Sequence, residues 1–431
     1  MSILEYLIII FLFITVVGVV NERYIKLQSD IALVLFTSII CLVLHIAASI
    51  LNISWLTDAL QKAGSFKFEA YLIDTVLCFM LFAGAGKVNM GKFKENIKTI
   101  SLLALLTTVI SSTLFGALFY GVACLFHLPV SIWICILLGC IVSPTDPIAA
   151  TGILNKLGLS KNVTSVIESE SLFNDGTGVA LFVFIRSIVT CAGSENFVIV
   201  MLKEIFGAVF VAFVVSFLLF HLLKLSRNPV MHIMISLFDV ALSYAICEHF
   251  GFSGVIASVV CGMYFSYKME GIARKRNVDD EENRYEDFWE CLEEILNAVL
   301  FALIGISLLD VSMSRVIYII APATILIVIV SRFFGVLLSS LLAGRKDIPG
   351  GYSLTEFVAL MTWTALKGGL SLALAMSTRS FLEEDVYLLV LNAAYITIFF
   401  TVIVQGLSTK AVYQKLEKHK AVRIRRQSER Q

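Results

Sequence analysis

Apolar residues in this chain do not alternate, nor do they recur as a narrow helical stripe. They run in blocks of about twenty, separated by short polar connections. A hydrocarbon core of roughly 30 Å takes about 20 apolar residues per helix, so each block predicts one membrane-crossing helix. Thirteen are expected, near residues 4–20, 31–51, 69–86, 98–126, 130–155, 162–190, 197–223, 230–250, 252–268, 291–310, 315–343, 352–378 and 384–407. Composition strengthens this reading. With 58% hydrophobic and 15% charged residues among 431, and a mean hydropathy of +0.89, there is too little polar surface to cover a water-soluble globule. The predicted fold class is an all-α polytopic membrane protein.

Lysine and arginine test the topology independently, because cytoplasmic connections are enriched in both. One set of connections holds seventeen of them and the tail from residue 408 holds eight more, whereas the other side has only Lys62, Lys67, Arg186, Lys203, Arg315 and Arg379. The N-terminus is therefore expected outside and the C-terminus in the cytoplasm. The net charge of zero hides this asymmetry, and no nucleic-acid partner is expected. Residues 1–20 lack a basic start and a small-residue cleavage site, so the first segment is expected to stay. The nine cysteines are scattered without CxxC pairs, and the six histidines form no HxxxH or HxH set. Neither a disulfide framework nor a transition-metal site is expected.

Against this apolar background, "SPTDPIAATG" at residues 143–152 is conspicuous. A residue before proline is pushed out of the α region, so Ser143 before Pro144 and Asp146 before Pro147 are both expected to be extended, and the fifth segment has to break. Asp146 then stands as an N-cap with Pro147 at the first position of a new half-helix. Unwound backbone is tolerated in lipid only where protein or a water-filled cavity surrounds it. The stretch predicts a mid-membrane cavity with a carboxylate and free carbonyls around Thr145, a setting suited to a cation. The alternative is a turn between two shorter helices.

"ESESLFNDGTGVALF", residues 168–182, continues a helix between apolar flanks. Ser171 and Asp175 are four apart, Ser171 and Asn174 three, and Glu170 and Asn174 four, so they form one polar stripe. Such a stripe belongs in a bundle interior, and ionisable groups within a membrane mark function. Gly176 and Gly178 allow a neighbouring helix to come close. The structural alternative is a hydrogen-bonded helix contact without a ligand. Two buried cations balance these acids. Arg332, deep in the eleventh segment, requires an acidic partner, and Lys367 precedes Gly368 and Gly369, which interrupt the twelfth. Segments five and twelve hold equivalent positions if segments 1–6 and 8–13 are two inverted six-helix repeats, and paired discontinuous helices point to a secondary transporter's binding site.

In order and spacing, "SPTDPIAATGIL", "ESESLFNDGTGVALF", "SGVIASVVCGMYF", "LNAVLFALIGISL" and "LKGGLSLALA" resemble the monovalent cation:proton antiporter family. That family includes bacterial and archaeal sodium/proton antiporters and animal sodium/hydrogen exchangers, and the resemblance covers roughly residues 5–408. It implies a thirteen-helix homodimer, each protomer with a dimerisation domain and a six-helix core that moves as an elevator. These are interleaved within a transmembrane antiporter domain at 1–408, followed by a short basic cytoplasmic tail at 409–431. It also implies that Asp175 carries the cation and the proton, helped by Asp146, the main-chain carbonyl of Thr145 and the Ser171 side chain, so that Asp175 and Asp146 would hold transported Na+. Glu170, Asn174, Arg332 and Lys367 would form a supporting network. Relatives with an Asn-Asp pair are typically electroneutral, which implies one-for-one exchange.

Two departures from the family pattern stand out. Many microbial relatives have a glutamate in the third helix, where Ala83 stands at the apparent position here, and their usual arginine before the Gly-Gly pair is Lys367, which keeps the charge but loses the planar fork. Formal charges on Asp146, Asp175, Glu170, Arg332 and Lys367 leave one net negative, which one Na+ or one proton neutralises. Oxygen ligands suit hard cations without choosing among Na+, Li+ and K+. Na+ or Li+ and protons are the expected cargo, with K+ the alternative and no cofactor expected. An intramembrane aspartyl protease built on Asp146 and Asp175 is the enzyme alternative, but glycines follow Asp175 in "DGTG" whereas such proteases resemble a Gly-x-Gly-Asp order. A channel or a non-transporting ion sensor is the third reading. The acidic stretch "VDDEENRYEDFWECLEE" is expected to be a cytoplasmic connection with an amphipathic end, and "KAVRIRRQSER" a solvated tail near anionic lipid. The expected location is a prokaryotic plasma membrane.

Overall fold

The computed structural model describes residues 3–50, 76–88, 90–146, 151–152, 154–155, 157–190, 197–276, 279–307 and 317–428. Pro147 and the connections holding Lys62, Lys67 and Arg315 lie outside the described residues. Within them every regular element is helical, since a helix satisfies its own backbone groups where no water is at hand.

The first helices are α1 (Ile3–Val20), α2 (Ser29–Ile50) and α3 (Leu77–Gly86), followed by α4 (Met90–Ser101), which passes through a π-helical stretch, Leu102–Thr107, into α5 (Thr108–Leu125). Next come α6 (Ile132–Val142), α7 (Lys161–Val189), α8 (Phe197–Leu223), α9 (Pro229–Phe250), α10 (Gly254–Arg276), α11 (Asp279–Ser307) and α12 (Ile317–Ala343). The chain closes with α13 (Leu354–Trp363), α14 (Gly369–Ser377) and α15 (Glu384–Phe399), and a second π-helical stretch, Phe400–Gln405, leads into α16 (Gly406–Ser428). Eight helical spans among the described residues are long and apolar enough to cross a bilayer. Phe206, Phe210 and Leu218 on α8 point outward, as lipid-facing side chains do.

Both expected interruptions are present. Helix α6 stops at Val142 and residues 143–146 are not helical, while residues 364–368 separate α13 from α14. Ser143 departs from expectation. It lies in the right-handed α region at φ −78°, ψ −43° although a proline follows. Its side chain bonds the Thr108 carbonyl at 3.3 Å and its own carbonyl accepts from Lys367 Nζ at 2.9 Å, contacts that anchor this conformation.

Two segments expected outside the bundle are helical. The acidic stretch forms the first half of α11, where acids near a helix N-terminus are favourable. Tyr285 and Trp289 there are buried, and the Trp289 ring lies 4.3 Å from that of Phe82. The basic tail is α16, and one side of it docks. Arg423 pairs with Glu356 at 3.0 Å and donates to the Gly351 carbonyl at 2.6 Å, and Tyr352 hydroxyl bonds Glu417. Glu356 also closes the capping box of α13 with Ser353, so the tail grips the start of a broken helix.

Candidate cation-binding site

The two breaks meet. Asp146 N–H donates to the Leu366 carbonyl at 2.8 Å, and a β-carbon built on Gly368 would stand 2.6 Å from an Asp146 carboxylate oxygen. Only glycine at 368 lets that carboxyl lie against the start of α14. Pro144 is equally close to α7, since a β-carbon on Gly178 would fall 2.4 Å from its ring. Gly369 packs in turn against Leu300.

The polar stripe of α7 locks onto this crossing. Thr145 N–H donates to Asn174 Oδ1 at 3.1 Å, while Asn174 Nδ2 donates to Thr145 Oγ1 at 2.6 Å and to Glu170 Oε1 at 2.9 Å. Ser171 Oγ lies 2.7 Å from Thr145 Oγ1. Glu170 accepts both terminal nitrogens of Arg332, at 2.9 and 3.0 Å, with both side chains almost wholly buried. This is the acidic partner that Arg332 requires. Lys367 is buried with Arg332, Glu170 and Asp175 as its charged neighbours, and its N–H donates to Thr401 Oγ1 at 3.1 Å.

A cavity of about 380 Å³ opens beside the crossing, and Thr145, Asp146 and Asp175 are among the residues that line it. Ser171 is buried and engaged with Thr145 rather than in the cavity wall. With Glu170 and Arg332 paired, Asp175 is left with Lys367 as its cationic neighbour at the crossing. Among the described residues no three His, Cys, Asp or Glu side chains converge on a metal.

The cavity wall also holds residues that the sequence reading did not assign. Glu168 lines it seven residues before Asp175, two turns along one face of α7. Glu293 of α11 reaches over Gly84 and pairs with Lys87 at 3.0 Å, and Glu290 does so at 3.5 Å. Burial presses the pKa of Lys87 down, but the two carboxylates outweigh it and hold Lys87 above the ordinary lysine value of 10.5. Asp30, buried at the start of α2, has Asp146, Glu294 and Glu293 as its charged neighbours. The i, i+7 spacing of Glu168 and Asp175 was visible in the sequence, whereas nothing in it brought Glu293 or Asp30 to this place. Ala83 is turned away and lines a separate cavity with Phe82 and Trp289, while Met80 and Gly84 face the main one.

Comparison with known proteins decides the family. The family described as sodium/hydrogen exchanger, transmembrane, matches residues 64–415. The chain belongs to the sodium/hydrogen exchanger family. The Na(+)/H(+) antiporter NhaP of Pseudomonas aeruginosa is 31% identical over 412 residues, covering 93% of this chain and 94% of its own. The Na(+)/H(+) antiporter NhaH of Halobacillus aidingensis is 29% identical over 355 residues, covering 81% and 84%. The structure of the sodium proton antiporter MjNhaP1 from Methanocaldococcus jannaschii superposes with a TM-score of 0.76 at 20% identity, covering 96% of this chain and 99% of that one. This exchanger thus has the same fold: an all-α polytopic membrane bundle of inverted repeats with interrupted helices that cross.

Proposed function

We propose that the chain is a secondary active antiporter that exchanges Na+ or Li+ for H+ by alternating access, one for one, with Asp175 as the shared carrier. One observation carries this reading: Asp175 and Asp146 line one cavity at the crossing of two broken helices, and Lys367 of the second break has Asp175 as a charged neighbour. The names and coverage of the relatives support the same activity. One cation or one proton neutralises the site, so the two compete, and exchanging one for the other moves no net charge. Asp146 and the Thr145 carbonyl help hold the cation. Ser171, Asn174, Glu170 and Arg332 fix the break in place, and Lys367 ties it to the second break through the Ser143 carbonyl.

Lys87 and Glu290 are half exposed at the cavity mouth, on the side whose connections are rich in lysine and arginine. By the positive-inside rule this mouth opens to the cytoplasm, with the N-terminus outside and the C-terminus inside. The protein works as a multi-pass homodimer in a prokaryotic plasma membrane, with an antiporter domain at 1–408 and the tail at 409–431. K+ is the alternative cargo at the same site.

Proteoliposomes with an acid interior, a pH dye and voltage clamped at zero test this. External Na+ or Li+ should raise the internal pH, K+ or choline should not, and Asp175→Asn should abolish the signal while protein still reaches the membrane. Retained exchange in that variant refutes the carrier role, and a signal driven by K+ alone replaces the cargo.

A further inference from the structure

Hydroxyls on the helices of this protein usually bond the carbonyl three or four residues earlier. Ser377, Thr378 and Thr364 do so at 2.7, 2.7 and 2.9 Å. Ser371 has no such carbonyl in place. Its counterparts would be those of Lys367 and Gly368, which precede the first turn of α14, and Gly368 has extended backbone at φ −114°, ψ −161°. The result is a side chain 1% exposed whose Oγ has no hydrogen-bond partner. Ser371 lines the same cavity as Asp146 and Asp175.

A buried hydroxyl without a partner is unfavourable in the unliganded protein, and its lone pairs offer one more oxygen to a hard cation. We propose that Ser371 is a ligand of the transported cation, contributing a neutral oxygen from the second half-helix while Asp146 and Asp175 supply the charge. This rests on the antiporter reading and extends it. Both broken helices then touch the ion, since Asp146 belongs to the first and Ser371 to the second. Binding joins them directly, and release leaves Ser371 unsatisfied again.

The test uses full-length Ser371→Ala and Ser371→Thr in proteoliposomes for half-saturating Na+ and Li+, and thermal unfolding in NaCl against choline chloride. Ser371→Ala should raise the half-saturating Na+ about tenfold and shrink the Na+-dependent rise in Tm. Its Tm in choline should equal or exceed that of the wild type, because the lost hydroxyl bonds nothing there. Ser371→Thr, which keeps the hydroxyl, should retain most of the Na+ affinity. Wild-type half-saturation and a wild-type Na+ shift in Ser371→Ala would overturn the ligand role and leave the antiporter reading intact. A lower Tm in choline for Ser371→Ala would also overturn it, by showing a structural role. Wild-type protein that neither exchanges nor is stabilised by Na+ or Li+ would sink both.

Discussion

Replacing Glu170 by glutamine nearly preserves its volume and the oxygen that accepts from Asn174, but removes the charge facing Arg332. Arg332 is only 5% exposed and donates two hydrogen bonds to Glu170, at 2.9 and 3.0 Å. Breaking a buried ion pair by removing one partner costs about 3–5 kcal/mol, because the other charge stays buried and uncompensated. Lys367 also lies near Arg332 and has Glu170 as a neighbour, so Glu170→Gln removes a carboxylate that faces both, which places the expected loss in the upper part of that range. Replacing both partners removes the orphan charge, and apolar replacement of a buried pair is often neutral. Glu170→Gln with Arg332→Met should therefore lose less than Glu170→Gln alone. Equilibrium unfolding in mixed micelles, run as a double-mutant cycle, measures the coupling. About 3 kcal/mol is more than a hundredfold in the folding equilibrium. A loss under about 0.5 kcal/mol for Glu170→Gln, far below the expected range, or a double variant at least as unstable as the two singles added together, would refute the reasoning.

Two further outcomes follow from packing and charge. Gly139→Ala would put a β-carbon 2.1 Å from the Ser112 carbonyl oxygen, a backbone atom that cannot step aside, whereas Gly121 on α5 has nothing within 4 Å; folded yield should collapse for the first, while Gly121→Ala should gain up to about 1 kcal/mol. Because the pKa of Lys87 is raised on folding, the stability it contributes is fully present below the unfolded lysine value and is lost only as pH rises through the folded one. The Tm advantage of wild type over Lys87→Met should therefore shrink as pH rises into strong alkali, and an advantage that grows there would contradict the assignment.

Much of the bundle was legible in the sequence because lipid imposes long apolar blocks, and because Pro144 and the pair Gly368 and Gly369 interrupt two of them. That Arg332 requires an acidic partner followed from the cost of burying it alone, while Glu170 as a member of its network was what the family resemblance implied. Other features were not legible, each for a local reason. Polar residues at 279–290 looked like a connection, yet Tyr285 and Trp289 bury one face of a helix there. Ser143 was expected to be extended before Pro144, but Lys367 and Thr108 hold it in the α region. Ala83 was placed at the apparent position of the relatives' glutamate, but it lines a separate cavity while Gly84 lines the main one, a rotation set by tertiary packing. Glu293 and Ser371 come from distant segments and reach one cavity only in three dimensions.

The central claim is that one carboxylate serves both ions, and the pH dependence of Na+ affinity tests it most directly. Initial exchange rates are measured in wild-type proteoliposomes at zero voltage over a range of Na+ concentrations, at successively lower pH. Shared binding at Asp175 predicts that, once protons occupy the site, half-saturating Na+ rises about tenfold for each further unit of acidification while the maximal rate at saturating Na+ is preserved. A half-saturating concentration independent of pH, with only the maximal rate falling, would mean that protons and Na+ bind different groups.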